Sequence, residues 1–345
     1  MTGPATQSPP PLVVEPPSLN VSTDDQDPTG EHGRARTMIS RSGVLVAFVI
    51  MIVVFWVINP SVFGTWANAR SILDQTSVIV ILGAGLTLVL ATGEFDLSFP
   101  GAILLAGVVI AKLLNSGSSP LIASLVGILV AVAALTVAGV LVAMQRTSSL
   151  IVTLALNTLW GGVAAGMSNS GVPIPINNNA FNALAIHKAL GLTLAVFIAI
   201  AVVVVFGVLL RFTVFGRRAE AIGTNPIAAR FAGVPLMRVR IMTFALFGLC
   251  AGIAAVILSY RQGQFTTDLS LGLFIPPFVA AFFGISVMAT GKFNMFGTLI
   301  GALFIGTLEE GLIISGAASW TGDVVVGVAL IVVLFFAAQR KTADG

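Results

Sequence analysis

The side chains in this sequence best suited to chemistry are four carboxylates that adjoin or interrupt long apolar runs. Glu94 and Asp96 stand between two such runs, and Glu309 and Glu310 stand together inside another. Ionisable groups within apolar segments are costly, and they often mark proton relays, ion pathways or substrate paths. We therefore expect these four residues, together with Asn157 in a further apolar run, to line a substrate path or its gate.

Each carboxylate also has a structural interpretation. Asp96 is a typical cap for the helix that follows it, since an anion suits the positive end of a helix. Glu309 and Glu310 could stand at the end of a shortened helix, and their side chains point about 100° apart, so at least one should face protein or water. An Ala-Thr-Gly turn precedes both Glu94 and Lys292, which makes an ion pair between them possible.

Other kinds of site find little support in the sequence. His32 and His187 are the only histidines, and the single cysteine, Cys250, lies in an apolar run. No Ser-His-Asp, Cys-His or metal-ligand cluster is present, and no GxxxxGK[ST] phosphate-binding loop. The glycine-rich segment 297–306 has the small-residue spacing of closely packed helices instead. We predict a chain that is not an enzyme, with no metal site and no cofactor of its own, so that any nucleotide hydrolysis takes place on another chain.

The elements that must position these residues are membrane helices. The chain is 57% apolar and only 9% charged, with a mean hydropathy of +1.02, whereas soluble domains have about 25% charged residues. Continuous apolar runs of about 20 residues favour helices over a barrel. The sequence predicts an all-α, polytopic membrane protein in contact with lipid and not with nucleic acid, with about ten spans near 43–58, 71–91, 97–114, 120–144, 150–168, 189–210, 239–259, 271–289, 295–315 and 322–338.

The distribution of charge predicts the orientation of these spans. Residues 1–40 are rich in proline and poor in apolar residues, which is typical of a disordered tail; residues 41–340 form the predicted transmembrane domain. With the tail in the cytoplasm, thirteen of the seventeen Lys and Arg residues fall in inner segments and four in outer ones. This asymmetry follows the positive-inside rule and places both termini in the cytoplasm.

The one long polar island between apolar runs is residues 211–240, RFTVFGRRAEAIGTNPIAARFAGVPLMRVR, with six of the seventeen basic residues. We interpret it as a cytoplasmic platform offered to another protein, with a glycine turn at Gly216 and short helices over 217–222 and 227–232.

The longest outer segment, 169–188, is rich in Asn and Pro. It is either a surface for an external partner or a plain connector.

Segments 85–107, 145–162, 215–258 and 296–316 resemble the ribose-type ABC importer permeases, a family that also includes permeases for other monosaccharides and for autoinducer-2. The resemblance implies an ABC importer permease fold and a homodimer in the bacterial inner membrane. It also implies a cytoplasmic ATPase, which would hold ATP and magnesium, and an external substrate-binding protein. Residues 211–240 would then couple to the ATPase, through Arg217, Arg218, Glu220, Gly223, Asn225, Ala229, Arg230 and Gly233.

The sequence departs from this family at positions of the predicted path. Glu94 stands where the family usually has glycine, and Gly291-Lys292-Phe293 stands where the family has a Gly-Arg-Gly-like turn. Glu309 and Glu310 stand where asparagines are common. We expect import of a small polar solute, most simply a monosaccharide, while these departures make a cationic or amine-bearing cargo conceivable. Two alternatives stay open: a secondary transporter driven by an ion gradient through its carboxylates, and an ABC permease for amino acids or another non-sugar cargo.

Overall fold

The computed structural model describes residues 46–144, 148–169, 171–185, 188–189, 191–266, 271–287, 292–318 and 320–331. The predicted tail and residues 332–340 of the predicted transmembrane domain lie outside the described residues.

The described residues fold almost entirely into helices. In chain order these are α1 Val46–Ile58, α2 Pro60–Phe63, α3 Trp66–Ala91, α4 Phe99–Asn115, α5 Pro120–Met144, α6 Ser149–Met167, α7 Asn179–Asn182, a 3-10 turn Ala183–Ala185, α8 Leu194–Phe212, α9 Val214–Thr224, α10 Pro226–Phe231, α11 Leu236–Gln262, α12 Leu271–Val287, α13 Met295–Ile314 and α14 Trp320–Ile331. Two short antiparallel ribbons pair β1 Ile174–Pro175 with β4 Gln264–Phe265, and β2 Lys188–Ala189 with β3 Leu192–Thr193.

The predicted spans correspond one for one to helices of the structure. Within the described residues, six helices are long and apolar enough to cross a membrane: α3, α5, α6, α8, α11 and α13. Four shorter apolar helices, α1, α4, α12 and α14, account for the other predicted runs. The prediction of an all-α polytopic membrane protein is therefore confirmed.

Helix boundaries differ from the apolar runs where hydrogen bonding, and not hydropathy, decides the first turn. Helix α3 begins at Trp66, ahead of the apolar run, because the Thr65 hydroxyl accepts a hydrogen bond from the Asn68 N–H at 3.2 Å. Helix α11 begins at Leu236, three residues before the predicted span 239–259, and so also includes Arg238.

Helix α3 lies at the centre of the bundle. Its side chains from 76 to 91 are buried on all sides, and it packs against α8, α11, α12 and α13. An apolar helix without an amphipathic stripe is the kind that a bundle surrounds. Glycines allow the closest approaches around it, since a Cβ on Gly306 of α13 would lie 1.9 Å from the Thr76 hydroxyl of α3. The predicted close packing by segment 297–306 is confirmed.

Candidate functional site

The predicted polar island folds as two short helices, α9 and α10, which together form what we call the platform. The expected turn at Gly216 is wrong, because Gly216 lies inside α9. A Cβ at this position would lie 1.9 Å from the Leu210 carbonyl oxygen of α8. Glycine is therefore needed for α9 to fold back against the end of α8, where the Thr213 hydroxyl accepts the Gly216 N–H at 3.3 Å.

The second platform helix is fixed at its start by a side chain. The Asn225 side-chain oxygen accepts hydrogen bonds from the N–H groups of Ile227 at 3.1 Å and Ala228 at 3.0 Å. Such a cap satisfies donors that the first turn of a helix leaves free. Asn225 therefore separates α9 from α10 and sets the direction of α10.

A small apolar cluster lies beneath the platform. Ala219 and Ile222 of α9, Ala229 of α10 and Val239 of α11 are buried against one another. Gly233, with a φ of 77°, then turns the chain from α10 into α11. A left-handed backbone at this point favours glycine. The platform is thus packed onto the bundle and connected at both ends to apolar helices.

The outer face of the platform carries both cations and large apolar side chains. Arg217, Arg218 and Arg230 are exposed. On α10, Ile227 is 69% and Phe231 is 89% exposed. These two residues are four apart, so they lie on one face of the helix.

Two further coupling residues connect the platform to neighbouring turns. A Cβ on Gly223 would lie 2.3 Å from the carbonyl oxygen of Ala91, the last residue of α3. Glu220 forms an ion pair with Lys292, Oε2 to Nζ at 3.0 Å, just before α13. The platform therefore meets the connection from α3 to α4 and the connection from α12 to α13.

Glu94 lies close to this end of the bundle and forms an ion pair there with Arg240. Its Oε1 lies 2.9 Å from Nη2 of Arg240 in α11, and the two side chains are only 13% and 20% exposed. The suggested ion pair between Glu94 and Lys292 is not formed, because Lys292 pairs with Glu220 instead.

Asp96 is fully buried at the start of α4. Its Oδ1 accepts hydrogen bonds from the Ser98 N–H at 2.7 Å and the Ser98 hydroxyl at 2.5 Å, while Oδ2 is buried without a partner among the described residues. Burial raises the pKa of Asp96 to about 6, against the opposing effect of the hydrogen bonds from Ser98. The prediction that Asp96 caps α4 is wrong, because the N-cap residue is Ser98 and the Asp96 carboxyl group bonds to Ser98 instead of to the N–H groups of the first turn.

Asn157 holds two helices together at their crossing. Its Oδ1 accepts the Gly101 N–H in the first turn of α4 at 2.7 Å. A Cβ on Gly101 would lie 2.6 Å from the Asn157 carbonyl oxygen, so the backbones of α4 and α6 are in close contact. The amide therefore caps α4 from a neighbouring helix.

Glu309 and Glu310 lie in the last two turns of α13, which runs unbroken from Met295 to Ile314 and so gives no shortened helix. Glu310 accepts hydrogen bonds from Gln75 Nε2 at 2.8 Å and from the Ser71 hydroxyl at 3.1 Å, both on α3. Glu309 is half-buried and lines a cleft of about 230 Å³ together with Thr321 and Asp323. One carboxylate fastens α13 to α3, and the other faces a cleft.

The five predicted path residues do not form one cluster. Glu94 and Asp96 lie near the platform, and Asn157 caps the same end of α4. Glu309 is fourteen residues beyond the start of α13, which is about 21 Å at 1.5 Å per residue. The structure therefore places the two sets at opposite ends of the bundle.

Sequence reasoning did not single out a polar cluster at the end far from the platform. Arg261 of α11 lies 2.8 Å from Oδ1 of Asp74 and 2.9 Å from the Ser77 hydroxyl, and the Thr193 hydroxyl donates to the same Asp74 oxygen. These contacts join α3, α11 and the last residue of β3, just before α8. The signal was available in principle, since Asp74 is a charge inside a predicted apolar run.

Comparison with known proteins assigns the family. Residues 68–334 match the family described as branched-chain amino acid transport system / permease component. The chain belongs to this permease family. The expectation of a transport subunit, as opposed to an enzyme, is confirmed by this membership.

Several curated relatives that align with this permease are named for the transport of sugars. It is 32% identical over 314 residues to the L-arabinose ABC transporter permease protein of Azospirillum brasilense, covering 91% of this chain and 92% of the relative. It is 31% identical over 291 residues to the ribose import permease protein of Escherichia coli (strain K12), covering 83% and 90%. The ribose import permease protein of Bacillus subtilis (strain 168) is 28% identical over 306 residues. The resemblance to ribose-type permeases is thus confirmed.

Proposed function

We propose that this permease is the membrane-spanning subunit of an ATP-driven importer that carries a monosaccharide across the bacterial inner membrane. The family description mentions amino acids, whereas relatives that align over about nine-tenths of their own length are named for arabinose and ribose. We give more weight to the relatives, because they match nearly the whole chain. The platform and both termini would lie in the cytoplasm, as the distribution of Lys and Arg favours.

The observation that carries this proposal is the outer face of α10. Phe231 and Ile227 present their side chains to solvent on a helix of only six residues that could not span a membrane. Exposed apolar residues beside arginines are typical anchors of protein–protein interfaces. We assign the face to a cytoplasmic ATPase, which would hold ATP and magnesium, while this chain itself holds no cofactor.

The platform is built to transmit a movement of such a partner. Only Thr213 separates α8 from α9, and α10 leads through Gly233 into α11. ATP can drive transport only if it binds one conformation of the assembly more tightly than the other. Closure of the ATPase would displace the platform and, through α8 and α11, change which side of the membrane the path faces.

An external substrate-binding protein would approach the opposite end. The described part of segment 169–188 is well held there: β1 pairs with β4, and the Asn115 amide donates to the Pro175 carbonyl oxygen at 2.7 Å. A fixed surface suits docking better than a loose connector does. The cleft lined by Glu309 and Asp323 lies at this end of the bundle as well.

A second copy of the permease would complete the path. Helix α6 is the least buried of the six long spans. Gly162 and Gly166 on it are four residues apart, and an added Cβ at either would meet no atom within 4 Å. Small residues at this spacing let two helix backbones approach closely in lipid. We therefore assign the surface of α6 to the homodimer.

A transporter driven by an ion gradient is the second candidate, and the geometry favours it less. Such a mechanism needs carboxylates that exchange ions along the path. Glu94 is paired with Arg240, and Glu310 is hydrogen-bonded to α3. Among the described residues these two groups lie at opposite ends of the bundle, and Asp74 of α3, at the Glu310 end, is paired with Arg261.

The test is purification of the permease from its native membrane with Phe231→Ala, compared with Phe212→Ala. Phe212 is a matched control, since it is also an exposed phenylalanine, at 68%, but lies at the end of α8. We expect the wild type and Phe212→Ala to recover a P-loop ATPase, and Phe231→Ala to lose most of it. Transport of labelled ribose or arabinose by the permease alone in liposomes, without ATP, would contradict the proposal.

A further inference from the structure

Two ion pairs connect the platform region to turns that do not adjoin it in the chain. One joins Glu220 to Lys292 at 3.0 Å, and the other joins Glu94 to Arg240 at 2.9 Å. We propose that these are positioning contacts, by which the platform and the start of α11 set the place of the turn between α3 and α4 and of Lys292 just before α13. This inference rests on the proposed function, in which the platform is the surface that the ATPase moves.

The first contact reaches two helices at once. Lys292 is two residues before Asn294, whose side-chain oxygen accepts the Gly297 N–H of α13 at 2.6 Å. The amide of Asn294 also donates to the Gly284 carbonyl oxygen of α12 at 2.9 Å. Because Asn294 fastens both helices, a displacement passed from Glu220 to Lys292 moves α12 and α13 as a unit.

The second contact reaches the turn that joins α3 to α4. Arg240 follows Val239, which is buried in the cluster beneath the platform. Its partner Glu94 precedes Phe95, whose N–H donates to the Ser149 hydroxyl at the start of α6 at 3.1 Å. A shift of the start of α11 is therefore carried through the ion pair to three further helices, α3, α4 and α6.

The two contacts differ in how well water and salt reach them. Glu94 and Arg240 are 13% and 20% exposed, whereas Glu220 and Lys292 are 32% and 61% exposed. Dissolved ions screen exposed pairs far more than desolvated ones. The contact at Lys292 should therefore weaken with ionic strength, and the contact at Glu94 should not.

The single cysteine makes these turns accessible to labelling. Because Cys250 is the single cysteine of the chain, a Cys250→Ala variant has no thiol and gives a clean background for labelling. Thr92→Cys then reports on the turn between α3 and α4, and Met295→Cys reports on the start of α13, since both positions are buried and neither side chain belongs to the two ion pairs. Labelling rates with a hydrophilic maleimide are measured on the permease alone in lipid nanodiscs. No ATPase takes part, so this experiment can fail independently of the co-purification that tests the proposed function.

We expect each broken contact to expose its own reporter. Arg240→Gln should raise the labelling rate at position 92 by about tenfold. Lys292→Gln should raise the rate at position 295 by about twofold to fivefold, and high salt should reproduce that increase in the otherwise unchanged chain. Arg238→Gln is the matched control, because Arg238 is an exposed arginine of the same helix as Arg240. It should leave both rates unchanged.

Charge-swapped chains separate positioning from simple loss of structure. Glu94→Arg combined with Arg240→Glu, and Glu220→Lys combined with Lys292→Glu, should restore the slow labelling of the corresponding reporter. Size-exclusion chromatography identifies the chains that remain folded. Labelling that does not respond to Arg240→Gln or Lys292→Gln would overturn the proposal, and so would folded swaps that label as fast as the single variants.

Discussion

Gly223 of α9 lies in direct backbone contact with Ala91 at the end of α3, where an added Cβ would come within 2.3 Å of the Ala91 carbonyl oxygen. This is the point at which the platform touches the central helix of the bundle. The contact depends on the absence of a side chain, because a carbonyl group at a helix end cannot move aside as a flexible side chain can. The platform and α3 must therefore move together or separate.

Gly223→Ala should destabilise the permease by about 1–3 kcal/mol, the usual cost of inserting a methyl group into a packed contact. Thermal unfolding in detergent measures this loss. Gly207→Ala is the control, since an added Cβ at Gly207 in α8 would meet its nearest neighbour at 3.7 Å, an ordinary contact. An unchanged unfolding temperature for Gly223→Ala would show that the platform does not rest on α3.

Loss of the two ion pairs should have unequal effects on stability. Arg240→Gln leaves Glu94 with 13% exposure and no counter-charge, and removal of one partner from a buried pair costs about 3–5 kcal/mol, less where water still reaches it. We expect a loss of roughly 2–3 kcal/mol on this basis. Lys292→Gln removes a group that is 61% exposed, so its effect should stay below about 1 kcal/mol. Chemical denaturation of both variants provides the comparison, and equal losses would contradict the burial argument.

The bundle could be predicted from the sequence more fully than the contacts within the site. Apolar runs indicate spans because lipid is the solvent and every backbone group must be satisfied within a helix. The partner of Glu94 could not be found in this way. Arg240 and Lys292 are both basic and both near the platform end, and only the packing of α11 brings Arg240 within reach.

The roles of the predicted path residues were equally hidden from the sequence. Asn157 in an apolar run looks like a polar group facing a path, yet its amide caps α4. Glu309 and Glu310 are neighbours with different surroundings, because a step of about 100° along α13 turns one toward α3 and the other toward a cleft. Sequence patterns show that a polar group needs a partner, and the fold decides which partner it has.

Asp96 should make stability depend on acidity. Its pKa rises to about 6 in the folded chain, from an ordinary value of 3.8. As pH rises from 3.8 to 6, the unfolded chain releases this proton while the folded chain keeps it, so stability falls across this range and levels off above it. The difference corresponds to roughly 3 kcal/mol at most. The unfolding temperature of Asp96→Asn, compared with the wild type from pH 4 to 7, should lack this fall. The same slope in both chains would assign it to other groups.

Two variants of Asn157 distinguish a role in capping α4 from a role in transport. Asn157→Ala removes the acceptor for the Gly101 N–H and should cost about 1–2 kcal/mol. Asn157→Asp keeps the acceptor and places a negative charge at a helix start, so most of the stability should remain. Unfolding and sugar uptake are measured on both variants. If Asn157→Asp unfolds normally but alters the half-saturation of uptake, the residue also contacts the cargo.

Variants of the neighbouring residues Glu309 and Glu310 distinguish a structural role from a transport role at the end of the bundle far from the platform. Glu310→Gln weakens the charge-assisted hydrogen bonds from Gln75 and Ser71, so it should lower stability by about 1 kcal/mol without changing the half-saturation of uptake. Glu309→Gln replaces the carboxyl group that lines the cleft shared with Asp323. It should change uptake, or the affinity of the external binding protein for the permease, with little effect on unfolding. Uptake in membrane vesicles and unfolding of the purified chain separate the two outcomes. If Glu310→Gln changed the half-saturation of uptake and Glu309→Gln changed only the stability, the two assignments would be reversed. Glu310 would then act in transport, and Glu309 would hold the helices together.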